Sequence, residues 1–202
     1  MDLDPKDVIE TARTAAEARE ARAARLNAAV ALTVAVLATF MGICKVKDDN
    51  LVQAMQQAQA DKLDHWAFYQ ARNIRQELAE ATATQLELAR LSVQAPSTDK
   101  YDAAIAKYRA EAEYQGKEKL KVKAQAEEDQ RTYDSLNFRD DQFDLSDALL
   151  AIAIALLAVT ALTKLWPLYF VALVPTFFGV LMGAAGLMAL PIHPESLIKL
   201  LS

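Results

Sequence analysis

Few residues in this chain are of a type that does chemistry, so their spacing decides whether any reaction is on offer. There are two histidines, His65 and His193, and a single cysteine, Cys44. One cysteine excludes an intrachain disulfide and any cysteine-based metal site. Its place at the end of an apolar run suits membrane-edge packing, with lipidation or cross-linking as the reactive alternative. Two widely separated histidines would need a carboxylate cluster to complete a metal site. Glu127, Glu128 and Asp129 are consecutive and so point around a helix rather than converging. Asp140, Asp144 and Asp147 are better placed, because i, i+4, i+7 spacing puts them on one helix face. That stripe could attract a divalent ion; its simpler reading is a solvated face beside a membrane. No phosphate loop and no nucleophile motif is present. The expectation is a protein with no catalytic residue, no metal ligand and no cofactor.

The one dense cluster of large side chains is HWAFYQARNIRQ, His65 to Gln76. On a helix Trp66, Tyr69 and Asn73 share a face, and Phe68 lies within reach of Arg72 and Arg75 for cation–π contact. Trp66, Phe68 and Tyr69 read as an anchor that locks this segment against a returning helix or another subunit. His65 beside them reads as a surface residue, and His193, in PIHPES, as part of a turn.

The elements that position these residues follow from charge. Three stretches carry none: Asn27–Cys44, Ala148–Thr163 and Leu165–Ile192. A hydrocarbon core ~30 Å thick needs ~20 apolar residues at 1.5 Å rise. The first stretch is adequate, the second becomes so by borrowing Leu145–Asp147 and Lys164–Trp166, and the third allows a tilted or kinked span with Pro167, Pro175 and Pro191 in or beside it. The chain therefore reads as all-α, an integral membrane protein with three transmembrane helices. Its parts are a polar N-terminal helix at 1–26, spans at 27–44, 148–164 and 165–191, an extramembrane helical hairpin at 45–147, and a tail at 192–202. The first span is not a cleavable signal, since a long polar segment precedes it. Asp4 as N-cap, Pro5 at the first helical position and Asp7 start a helix that rises into it. A formal net charge of −5 and the lack of a basic patch exclude nucleic acid as a partner.

Within the insert, Lys47 to Ala95 has no Gly or Pro and is rich in helix formers. Ala60, Ala67, Ile74, Ala81 and Leu88 repeat at sevens, with Ala71 and Leu78 at the offset of four. Asp64 and Gln85 interrupt this coiled-coil-like seam. Pro96 ends the arm, Ser97 or Thr98 caps the next, and Gly116 is a candidate break in the return. Two nearly equal arms of roughly 75 and 70 Å make an antiparallel hairpin. Each arm is only weakly amphipathic, so self-association is expected to support it. In the third span Gly179, Gly183 and Gly186 form a small-residue face for packing within the chain or between subunits.

DKLDHWAFYQARNIRQ, AAIAKYRAEAEYQGKEKLKVKAQAEE and FDLSDALLAIAIALLAVTALTKLWPLYF together resemble the bacterial membrane family of domain of unknown function 4337, over roughly residues 20–190. The resemblance implies three spans with a helical insert after the first, and it implies no reaction.

Positive charges divide evenly. Arg13, Arg19, Arg22, Arg25 and Lys164 stand on one side, against Lys45, Lys47, Arg131, Arg139 and Lys199 on the other. The weight of the first span places the N-terminus in the cytoplasm and the hairpin and C-terminus in the periplasm. The three apolar cores hold no ionisable group, which disfavours transport. The expected function is a non-enzymatic scaffold or accessory subunit in the bacterial inner membrane, self-associating through Trp66, Phe68, Tyr69, Ile74 and Leu78 and through the glycine face. Its partners are the lipid bilayer and either further copies or a larger complex. The alternative, by architecture alone, is a polysaccharide co-polymerase-like regulator of envelope glycan length.

Overall fold

The computed structural model describes residues 5–92 and 98–192, the side chains of residues 5, 7 and 8 excepted. Asp4, Pro96, Ser97, His193 and Lys199, to which the sequence assigned a cap, a breaker, a turn or a topological charge, lie outside the described residues, as does Asp7 beyond its backbone. Three helices account for almost everything described: α1 (Pro5–Arg90), α2 (Thr98–Thr163) and α3 (Trp166–Met188). No strand occurs among the described residues. All three contain a window long and apolar enough to cross a membrane. α1 begins at Pro5, where the missing N–H costs nothing because the first turn has no intrahelical acceptor for it. The expected break at Gly116 does not occur, and α2 continues through it. Gly116 instead permits close approach, since a β-carbon there would stand 3.3 Å from Gln76 Oε1 on α1.

The chain divides into two compact units, Met1–Leu51 with Phe138–Ser202, and Val52–Asn137. In the first, Leu26, Val30 and Leu37 of α1, Leu150, Ala153 and Leu157 of α2 and Ala172 of α3 form one core. Polar groups inside this unit are used locally. Thr33 gives its hydroxyl proton to Ala29 O, so Tyr169 Oη must donate to Thr33 Oγ1 at 3.0 Å, tying α3 to α1. Ser146 Oγ donates to Gly179 O at 2.8 Å, tying α2 to α3.

The link from α2 to α3 is only Lys164 and Leu165, and Lys164 takes a left-handed conformation with φ 56° to turn the chain. α3 closes on Ala189, also left-handed, with Leu190 N–H bonded to Ala185 O at 2.9 Å. Pro191 follows and cannot continue the helix. The carbonyls freed at this end are taken up by α2. Arg139 donates to Gly186 O, and Gln142 Nε2 donates to Leu190 O and Ile192 O. A cation at a helix C-terminus also complements the helix dipole.

In the second unit α1 and α2 run antiparallel, the partner numbers on α2 falling from 130 to 102 as those on α1 rise from 62 to 90, with one local crossing at Arg72 and Asn73. The pairs are Lys62 with Gln130, His65 with Asp129, Arg72 with Gln115, Asn73 with Lys119, Glu87 with Arg109 and Arg90 with Asp102. Between these polar pairs lie small buried residues, chiefly Ala58, Ala79, Ala83, Ala112 and Ala126. Alanine lets two helices approach closely and contributes little burial per residue.

Candidate functional site

Three groups of side chains stand out, and the first is the aromatic segment. Trp66 and Tyr69 are half-buried and meet edge to face with centroids 5.4 Å apart. Phe68 is 60% exposed, and Arg72, which the sequence offered to it, donates instead to Gln115 Oε1 at 3.0 Å. His65 is not the plain surface residue its neighbours suggested. Its Nδ1 lies 2.6 Å from Asp129 Oδ2, across to α2. Glu127, Glu128 and Asp129 do point around α2, reaching Lys123, Arg131 and His65 respectively.

The heptad residues lie on the other side of α1. Ala60, Ala67, Ala71, Ile74, Leu78, Ala81 and Leu88 are all exposed, Ile74 at 64% and Leu78 at 65%. The face that meets α2 is instead the one carrying His65, Arg72, Asn73 and Gln76, with Ala79 and Ala83 buried beside them. The reason is the polar pairing, since the arms join through charges and amides that the apolar seam does not carry. Of the residues expected to pack this arm, Trp66 and Tyr69 are partly covered, and Phe68, Ile74 and Leu78 are open.

The second group is the glycine face of α3, and it is filled from within the chain. A methyl group on Gly179 would come within 2.8 Å of Leu150. One on Gly183 would come within 2.7 Å of both Phe40 and Ser146, and one on Gly186 within 2.9 Å of Phe143. All three glycines are buried. Their absent side chains are what allow α1 and α2 to close on α3.

The third group is acidic. The stripe on α2 does not face only water, for Asp140 and Asp147 are half-buried, and Asp144 alone is exposed. Asp48 of α1, 5% exposed, faces them. Its Oδ2 accepts from Lys45 Nζ at 2.7 Å, while its buried Oδ1 has no hydrogen-bond partner among the described residues. When protonated, the Asp140 carboxyl hydrogen-bonds to Asp48. Burial, this hydrogen bond and the charge of Asp144 push the Asp140 carboxyl up to about 6. Lys45's own hydrogen bond to Asp48 raises its ammonium above the ordinary value. Among the described residues no group of three or more His, Cys, Asp or Glu is placed to hold a metal ion. Sequence reasoning missed Asp48, although its signal was present. Asp48 lies just past the first apolar run and the acidic stripe just before the second, so two helices packed in opposite directions bring them level.

The architecture accords with the comparison by sequence. The profile described as Domain of unknown function (DUF4337) matches residues 26–189. The chain belongs to this family. In this DUF4337 member the match takes in α1 from Leu26 onward and all of α2 and α3, and with them the aromatic segment, the glycine face and the carboxylates. No curated protein matches the chain. No solved structure matches it either.

Proposed function

We propose that this DUF4337 protein is a non-enzymatic scaffold or accessory subunit of a membrane, and that it self-associates through the outer face of α1. The exposed heptad seam carries the reading. Seven apolar residues at coiled-coil spacing, from Ala60 to Leu88, are exposed and turned away from α2, the helix this arm pairs with. The seam is ~42 Å long at 1.5 Å per residue, and Asp64 is the only charge along it. A second copy of α1 fits it because the small side chains match themselves, knob into hole. Leu63 and Phe68, both exposed, flank the seam and widen the apolar strip.

The membrane part of the reading rests on what the first unit leaves uncovered. Leu32, Val36 and Ile43 of α1, Ile152, Val159 and Leu162 of α2 and Phe170, Val174 and Phe177 of α3 are all exposed. Water would not tolerate that much apolar surface, and lipid would. The spans lie at 27–44, 148–164 and 165–191, with residues 45–147 outside the bilayer as a helical hairpin. The membrane is the bacterial inner membrane, the N-terminus lying in the cytoplasm and the hairpin in the periplasm. The glycine face, being filled within the chain, serves the fold of the protomer, and assembly falls to the seam.

Single cysteines test the seam in place. In a Cys44→Ser background, Leu78→Cys is expected to form a disulfide-linked dimer in oxidised membranes, and Ala79→Cys, on the buried side, is not. Equal cross-linking of the two would contradict the proposal. A second reading, regulation of envelope glycan length, is favoured by the antiparallel helical pair lying in sequence between two apolar helices; deletion would alter glycan length under that reading and leave it unchanged under the first.

A further inference from the structure

A cleft of about 500 Å³ in the first unit is lined by Ala18, Ala21, Arg22 and Arg25 of α1 and by Trp166 of α3. The four α1 residues follow i, i+3, i+4, i+7 spacing and so form one strip, two small side chains making a floor and two arginines a rim. Neither the Arg22 nor the Arg25 side chain has a hydrogen bond or ion pair to any described residue, and the side chain of Lys164, two positions before Trp166, is likewise exposed and unpaired among the described residues. Two arginines without a side-chain partner among the described residues thus line the cleft beside one aromatic side chain. Of the two other arginines on this part of α1, Arg13 is paired to Glu17 at 3.0 Å and Arg19 does not line the cleft.

An apolar track starts at this cleft. Trp166 and Phe170 lie with ring centroids 6.2 Å apart, and Phe170, Val174 and Phe177 continue along α3 with 60, 56 and 63% of their surface exposed. From residue 166 to 177 the track is ~17 Å long at helical rise, about the reach of an acyl chain. A cationic cleft opening onto an apolar track has the polarity of a phospholipid, head to tail.

We propose that Arg22 and Arg25 bind the phosphate of an anionic phospholipid, whose acyl chain lies along Trp166, Phe170 and Phe177. Arginine suits the task because its planar fork meets two phosphate oxygens at once. The track selects a lipid over a soluble phosphate, which would have no use for it. The inference rests on the reading of α1–α3 as spans, and it adds a preferred lipid class to that reading.

The chain has two tryptophans, so Trp66→Phe leaves Trp166 as the only one. This variant is reconstituted in vesicles of phosphatidylcholine and phosphatidylglycerol, with bromine on the acyl chains of one lipid at a time. Brominated phosphatidylglycerol is expected to quench Trp166 severalfold more per molecule than brominated phosphatidylcholine. Arg22→Gln with Arg25→Gln is expected to abolish the difference, and the paired lysine variant to retain part of it. Equal quenching by both lipids would overturn the site while leaving the spans intact. Absence of quenching by either would overturn the spans and the site together. A preference erased by inorganic phosphate at constant ionic strength would make the occupant a soluble anion and overturn the lipid.

Discussion

At the scale of single residues, two carboxylate contacts carry the clearest consequences. Asp140 holds its proton up to about 6 in the folded chain, well above the ordinary carboxylate range. Between those values the folded state binds more protons than the unfolded one, so stability falls as pH rises through this window and levels off above it. Lowering the pH from 7 to 5 is therefore expected to stabilise the first unit. Asp140→Asn should raise the melting temperature at pH 7 by a few degrees and flatten the pH dependence, as thermal unfolding in detergent would show. An unchanged slope would remove Asp140 as its source. The other contact is His65 with Asp129, a short bond between half-buried partners in the second unit. Replacing either by Ala should cost about 1 kcal/mol, and the double replacement less than the sum, measured as a mutant cycle by denaturant unfolding.

At the scale of helices, packing separates glycines that look alike in sequence. Gly183→Leu must displace Phe40 or Ser146, and even Gly183→Ala presses a methyl onto both, at an expected cost of about 1–3 kcal/mol. Gly42→Ala meets nothing within 4 Å and should stabilise α1 by roughly 0.5–1 kcal/mol. Thermal unfolding of the two alanine variants in the same detergent checks the contrast. The helices themselves were legible in the sequence, because three uncharged runs and a stretch without Gly or Pro leave little else to form. The glycine face was legible as a packing surface too, but not its partners, since small residues state that something approaches without stating what. The heptad spacing was legible in the sequence, and the outward direction of its residues was not. Direction is set by cross-helix pairs such as Lys62 with Gln130 and Asn73 with Lys119, and single-helix periodicity does not encode them. Gly116 misled for a related reason. A glycine in a polar helix weakens it locally, yet here the neighbouring arm holds it in place.

At the scale of the whole molecule, the first unit buries a leucine-rich core and the second a largely alanine one, and both leave many large apolar side chains exposed. In the first unit those exposed residues suit a bilayer, and in the second Ile74, Leu78 and Leu88 suit another copy of α1. Assembly through the seam is thus the central claim, and native mass tests it most directly. The protein would be extracted from its own membranes in mild detergent and weighed beside a variant carrying Ile74→Glu and Leu78→Glu. These two exposed positions can be charged without disturbing the pairing of α1 with α2. The account predicts a whole multiple of 22.2 kDa for the native chain and a single protomer for the variant. A native chain found at 22.2 kDa, or a variant that keeps the native mass, would contradict it.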